Sequence, residues 1–156
     1  MRKILVAIGL GLLAAPALAN PPNQPTLMAL KGHCTSIVLL GQVLKPEFCN
    51  QKLVNMTLPN GREGFLFTLQ GPGKPALTIG FFGDGQREIH KDRDHVVLPI
   101  DSMDVSFEGL HHHVAAGSCQ FANPTQGVPV AVSCTAESAE GKFVAEFMSD
   151  GSAPIL

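Results

Sequence analysis

The chain of 156 residues has no tryptophan and no tyrosine, so its aromatic content rests on nine phenylalanines. Stacking on nucleic-acid bases or sugar rings would have to use phenylalanine, and most of these residues lie in alternating patterns typical of a core. There is also no basic stripe. Without the two basic residues of the leader described below, nine Lys and Arg face 13 Asp and Glu, a net charge of −4. This composition argues against nucleic acid or an anionic membrane as partner.

Helical periodicity and catalytic motifs are missing as well. No stretch of ten or more residues beyond the leader repeats its apolar positions as a helix does. We find no Gly-x-Ser-x-Gly, no phosphate-binding loop and no HExxH. A triad can be assembled from distant residues without leaving a motif, but the cysteines are expected in disulfides, which leaves no thiolate nucleophile. We therefore predict that the protein is not an enzyme and assign no catalytic residues.

The N-terminus has the three parts of a secretory signal peptide. Arg2 and Lys3 form a basic start, residues 4–13 form an apolar run too short to span a bilayer, and Ala17-Leu18-Ala19 provides a cleavage site. Removal of residues 1–19 leaves 137, enough for one domain with a hydrophobic core. We predict a bacterial protein that is periplasmic or secreted, with no transmembrane segment after cleavage.

The four cysteines all follow the predicted cleavage site. An even number of cysteines in an exported protein predicts two disulfides. Of the three possible pairings we favour Cys34–Cys49 with Cys119–Cys134, because each pair is fifteen positions apart and brackets a hairpin-like segment. Closing a loop of this size stabilises a fold by about 3 kcal/mol in the chain-entropy model. A zinc site would require more closely spaced cysteines.

The Asn60-Gly61 pair is the strongest hairpin signal in the chain. These two residues tolerate the positive φ that both central positions of a type I′ turn require. Such a turn would place Met56 opposite Phe65, with the apolar side chains of both arms on one face. We therefore predict a hairpin in this register.

Similar alternating segments and Gly- or Pro-rich turns recur to the end of the chain. They predict an all-β fold, a small disulfide-stapled sandwich or barrel. Each cysteine unit is followed by a turn and a strand with spaced phenylalanines, so we hypothesise two related hairpin units. The predicted organisation is an extended segment over 20–30, a single β domain over 31–150 and a flexible tail over 151–156.

The histidines form the one unusual cluster of the sequence. Three are consecutive, and a strand would place His111 and His113 on the same face. His90 and His95 flank a charged loop. Neutral imidazole is a common ligand of Zn²⁺ and Cu²⁺, so these four residues are candidate ligands of a zinc or copper ion. They form a site only if the two segments converge; otherwise they are polar residues of solvated turns.

Three functions fit these observations. The first is a small exported module that binds a protein or an envelope component. The second is a histidine-based zinc or copper protein of the periplasm, and the third is a structural envelope protein without a specific ligand. Metal binding requires the four histidines to converge, whereas partner binding requires an exposed apolar patch on a sheet face or at a loop end.

Overall fold

The computed structural model describes residues 23–107, 109–124 and 127–156, so the predicted signal peptide lies outside the described residues. Within these ranges the chain forms ten strands and two short 3₁₀ helices, Pro46–Phe48 and Gly85–Arg87, and no α-helix. None of the helical segments in these ranges has the length and apolarity to cross a bilayer. The strands are β1 (Thr26–Leu39), β2 (Gln42–Leu44), β3 (Cys49–Thr57), β4 (Arg62–Leu69), β5 (Leu77–Asp84), β6 (Ile89–His90), β7 (His95–Ser106), β8 (Leu110–Ala122), β9 (Ala131–Ser138) and β10 (Gly141–Ser149).

Eight of the strands close into an antiparallel barrel. Their order around the barrel is β1, β3, β4, β5, β7, β8, β9 and β10, and β10 pairs again with β1. The short strands β2 and β6 add to β1 and β7. Neighbours in the barrel follow one another along the chain, which is the up-and-down arrangement. The prediction of a small disulfide-stapled all-β fold is confirmed, and of its two forms the barrel is the one observed.

Phenylalanines fill the middle of the barrel. The five most buried are at most 3% exposed: Phe65, Phe67, Phe81, Phe143 and Phe147. The rings of Phe67 and Phe81 meet edge to face with their centroids 5.7 Å apart. An eight-stranded barrel is just wide enough for its interior to be filled by side chains. Space for a ligand is therefore expected at an end of the barrel and not at its centre.

Both predicted disulfides are present, Cys34–Cys49 and Cys119–Cys134. Cys119 and Cys134 lie directly opposite each other on β8 and β9 and are fully buried. Cys34 lies inside the barrel on β1 and is joined to the first residue of β3. Two disulfides indicate an oxidising, exported location.

The hypothesis of two related hairpin units stays a hypothesis. Each disulfide joins the first and second strands of a three-strand meander, β1-β3-β4 in one half and β8-β9-β10 in the other. An up-and-down barrel places all consecutive strands side by side in any case, so this likeness does not require a duplication.

The β3–β4 hairpin forms where the sequence predicted it, but the predicted turn type was wrong. The backbone N–H of Leu58 donates to the carbonyl of Arg62 at 2.8 Å, which leaves a loop of three residues. Of these, Gly61 has a positive φ of 82° and Asn60 does not, whereas a type I′ turn needs both. Pro59 suits the first central position of a type I turn, and Gly61 suits the left-handed residue that follows it in three-residue loops.

The longer loop shifts the predicted register by one position and inverts the faces of β3. Asn55 faces Phe65 inside the barrel, while Met56 faces Gly64 on the outer wall. The ring of Phe82 covers Gly64 there, so closely that a Cβ on this glycine would collide with it. The prediction failed because β3 carries apolar residues on both faces, and the outer ones are covered by another apolar side chain.

The two ends of the described chain also belong to the barrel. Strand β1 begins at Thr26, within the 20–30 segment that the sequence assigned to an extended lead-in. In the tail over 151–156, for which flexibility was predicted, Ile155 exchanges two backbone hydrogen bonds of 2.8 and 2.9 Å with Ala29. The barrel therefore includes residues on both sides of the predicted 31–150 range.

Candidate functional site

One end of the barrel opens into a cavity of about 820 Å³. This cavity end is formed by the β1–β2, β2–β3, β4–β5, β7–β8 and β9–β10 connections, and the remaining connections lie at the opposite end. The volume falls within the range of roughly 300–1,000 Å³ that is usual for small-molecule sites. The barrel thus has the space for a ligand at one end.

The opening arises from a detour of the chain between β1 and β3. Leu40 and Gly41 both have positive φ, 51° and 80°, so a two-residue turn of type I′ returns the chain as β2. Strand β3 consequently pairs with β1 only up to Lys31, and β2 pairs with β1 from Ile37 onwards. Pro46 then begins a 3₁₀ helix that leads into β3. The β2 segment and this helix form one side of the cavity.

The cavity wall is apolar from its base to its rim. Leu69 and Val105 form part of the base and are 6% and 7% exposed. The rim includes Val43, Phe48 and Phe107, which are 82%, 37% and 43% exposed. Phe48 and Phe107 are the two of the nine phenylalanines that count as exposed. Exposed apolar side chains gathered at one place are a feature that interaction sites share.

Four basic side chains complete the wall, and among the described residues no carboxylate lines it. Lys45 and Lys74 are exposed at the rim. The Nζ atom of Lys45 lies 5.8 Å from the centroid of the Phe48 ring and 3.9 Å from Oε1 of Glu47, in a pair that is open to solvent. The two lysines of the wall are therefore its charged side chains, and both are positive.

The other two basic residues are His111 and His113, on the inner face of β8. The ring of His113 packs on Phe143 with the centroids 5.4 Å apart. Its Nδ1 atom lies 3.3 Å from Oε2 of Glu140, in a geometry that does not form a hydrogen bond. The Ser138 hydroxyl, the backbone N–H of Glu140 and His113 together lower the pKa of the Glu140 carboxyl. His113 is thus held at the wall between an aromatic ring and an ionised carboxylate.

The other two predicted ligands lie at the opposite end. His90 is in β6 and His95 begins β7, ten positions along that strand from Val105, or about 30 Å at roughly 3.3 Å per residue. Nδ1 of His95 lies 2.9 Å from both carboxylate oxygens of Asp92, and Nε2 of His90 lies 3.9 Å from Glu88. The barrel therefore separates these histidines from the two in the cavity wall.

The predicted four-histidine site is therefore not brought together. Across residues 23–107, 109–124 and 127–156, no three His, Cys, Asp or Glu side chains are arranged to hold a metal ion. His111 and His113 remain neighbours, but zinc sites use three or four protein ligands. The histidine between them, His112, points outward, and its Nδ1 atom lies 2.7 Å from Oδ1 of Asp104.

A second groove, of about 420 Å³, lies on the outer wall. It contains His112, Asp104 and Ser102, the residue types of a hydrolase triad. The hydroxyl of Ser102 accepts a hydrogen bond of 2.8 Å from Nη2 of Arg62, and none joins it to His112 in the described part of the chain. Arg62 also forms a two-point pair with Asp101, and this hydrogen bonding lowers the pKa of the Asp101 carboxyl. The groove therefore holds an ion pair between Arg62 and Asp101, and among the described residues it holds no nucleophile that is hydrogen-bonded to a base.

The sequence reasoning missed the residues that shape the cavity. Phe48 follows Pro46 in a segment without alternation, and Lys74 lies in the Gly- and Pro-rich loop over 71–75. An aromatic residue outside any alternating pattern was the signal that pointed to a surface role.

Glu63 and Glu88 form an acidic pair at the end of the barrel opposite the cavity, and the pKa of Glu63 can be tested there. Burial, repulsion by Glu88 and a hydrogen bond to Glu88 raise the pKa of Glu63 above its ordinary 4.5. The folded state then holds this proton more tightly than the unfolded state does. The contribution of Glu63 to the free energy of unfolding is therefore largest below pH 4.5, the pKa in the unfolded state. It is lost as the pH rises from 4.5 through the raised pKa of the folded state.

We expect Glu63→Gln to be more stable than wild type at pH 7, with a gain that shrinks towards pH 4 as the wild-type carboxyl becomes protonated in both states. Urea denaturation at the two pH values measures this. Glu137→Gln, at an exposed carboxylate, serves as the control and should change little. A gain of the same size at both pH values would contradict the pKa shift.

The chain was compared with models of protein families, with curated proteins and with solved structures, and none of them matches it.

Proposed function

We propose that this chain is an exported binding protein that holds a small apolar molecule of the cell envelope in the cavity of its barrel. The observation that carries the proposal is a cavity of about 820 Å³ whose base and rim are both apolar. Binding of a partner requires an exposed apolar patch, and the rim of this cavity is such a patch at a loop end. The predicted signal peptide and the two disulfides support a periplasmic or secreted location.

Physical chemistry favours an apolar occupant. Water in this cavity would have few hydrogen-bond partners beyond the four basic side chains, so it is held weakly. A ligand that covers the wall gains roughly 25 cal/mol for each Å² of apolar surface removed from water. The base consists of strand ends fixed in the barrel ladder, such as Leu69 and Val105. Little ordering is then needed on binding, which favours affinity.

The concave shape favours a small molecule over a protein partner. A stable protein–protein contact buries about 800 Å² on each side and needs a continuous face. Here Val43, Phe48 and Phe107 surround an opening instead. Partner proteins remain an outcome of the experiment below.

The test uses the neutral dye N-phenyl-1-naphthylamine, whose fluorescence rises in apolar surroundings, and the purified chain from residue 20. We expect saturable binding of one dye per chain and displacement by dodecanol. Val43→Asp/Phe107→Asp should weaken binding by about tenfold or more, because a charge at the rim must be desolvated when the dye enters.

Val114→Asp is the matched control, because Val114 is as exposed as Val43, at 81%, but lies on the outer wall. It should leave dye binding unchanged. Circular dichroism establishes that the variants fold. Dye binding that does not saturate, or an equal loss in Val114→Asp, would rule out the cavity as the binding site and turn the search to protein partners.

A further inference from the structure

The lysines at the cavity rim indicate which charge the polar end of the ligand carries. Lys45 and Lys74 carry the permanent charges among the described lining residues, and both are positive. The chain as a whole is acidic, with 13 Asp and Glu against 11 Lys and Arg. A positive rim on an acidic protein is therefore a local feature. It is complementary to a molecule with an apolar tail and an anionic head.

Lys45 lies beside the ring of Phe48, and the stem of Lys74 lies across Gly71 from the same ring. Nζ of Lys45 is 5.8 Å from the centroid of Phe48. A Cβ on Gly71 would lie 3.8 Å from Cδ of Lys74 and 3.9 Å from Cδ2 of Phe48, so the Lys74 stem and the Phe48 ring flank one glycine. Lysine stems cover apolar surface while their ammonium groups stay in water. The stems of both lysines thus lie near Phe48 at the rim of the same cavity.

The ammonium groups of Lys45 and Lys74 have N–H donors left to bind a ligand. Lys45 is paired with Glu47 at 3.9 Å, with both side chains more than 60% exposed, and such exposed pairs are weak. An ammonium group has three N–H donors, so this contact does not use them all. No ion pair involving Lys74 is found among the described residues.

We infer that the cavity binds a single-chain amphiphile with a terminal carboxylate or phosphate. Its alkyl chain lies against Leu69 and Val105, and its anionic head lies between Lys45 and Lys74. This inference rests on the proposed function and adds the charge of the ligand to it. A cationic head would be repelled by both lysines. An uncharged head could accept a hydrogen bond from an ammonium group but would form no ion pair with it, so it would bind more weakly than an anion. Lysine acts as a point charge, so it accepts either anion.

The experiment compares four compounds with the same twelve-carbon chain, each below its micelle concentration or solubility limit: dodecanoate, dodecyl phosphate, dodecanol and dodecyltrimethylammonium. Displacement of the neutral dye from the chain that starts at residue 20 gives each affinity. We expect dodecanoate or dodecyl phosphate to bind about tenfold tighter than dodecanol. This preference should shrink in 1 M NaCl, where the Debye length falls to about 3 Å.

The variant Lys45→Met/Lys74→Met should lose the preference for the anion while keeping the wild-type affinity for dodecanol. Lys45→Arg/Lys74→Arg should retain the preference. Lys52→Met/Lys91→Met removes two exposed lysines away from the cavity and should change nothing. Dodecanol binding as tightly as the anions, or a preference that survives the methionine variant, would overturn the inference and leave the proposed function standing. Failure of all four compounds and of the dye would remove both.

Discussion

Replacement of Phe67 by alanine is expected to lower the free energy of unfolding by about 3–5 kcal/mol, as is usual for a large side chain deleted from a core. Phe67 is 1% exposed, and its ring packs edge to face against Phe81 at 5.7 Å. The closed barrel cannot collapse easily around the space left behind, because each strand is held by ladders on both sides. The total free energy of unfolding of such a domain is about 5–15 kcal/mol, so the variant should be close to unfolding.

Phe48→Ala is the matched comparison for this prediction. Phe48 is 37% exposed at the cavity rim, so its removal gives up less buried apolar surface than removal of Phe67 does. Urea denaturation of the two variants should therefore show a larger loss for Phe67→Ala than for Phe48→Ala, whereas dye binding should weaken in Phe48→Ala. Equal losses of stability would mean that Phe48 belongs to the core and that the cavity is not an open site.

Removal of the Cys119–Cys134 disulfide is expected to cost about 2–5 kcal/mol. The bond closes a loop of fifteen positions, and both cysteines are fully buried on adjacent strands. Cys119→Ala/Cys134→Ala therefore loses the constraint on the unfolded chain and also leaves a small space in the barrel. Urea denaturation of the oxidised wild type and the double variant measures the difference.

The second disulfide offers a comparison at constant loop length. Cys34–Cys49 is also fifteen positions apart, so the loss of chain entropy is the same in this model. Cys49 is only half-buried at the start of β3, so Cys34→Ala/Cys49→Ala leaves less empty space. We expect the Cys119→Ala/Cys134→Ala variant to lose more stability. The reverse order would show that packing around the cysteines does not control the difference.

Local chemistry explains which predictions from the sequence succeeded. Identical spacing and a shared oxidising context selected the disulfide pairs. Alternation of period two identified the strands, as in the buried series Phe143, Ala145 and Phe147 of β10. Both signals depend on residues that are close in the chain, so no tertiary information is required to interpret them.

The register of the β3–β4 hairpin could not be predicted from such local information. Asn60-Gly61 fits a two-residue turn, but Pro59 fits a three-residue loop equally well. The choice between them depends on which face of β3 is covered. The ring of Phe82, on β5, covers the outer face, and its position results from the pairing of three strands.

The candidate site depended on closure of the barrel. Phe48, Lys74 and Phe107 come from three separate connections, and they share a cavity only because eight strands form a ring. The separation of the histidines has a different cause: His95 begins β7, and His111 pairs on β8 with Val105, near the other end of β7. Periodicity and spacing in the sequence were sufficient to predict the strands, the cysteine pairs and the all-β class. The register of β3 and the cavity depend on which distant strands become neighbours, so only the folded barrel shows them. The separation of the histidines depends on how far β7 extends before the chain turns.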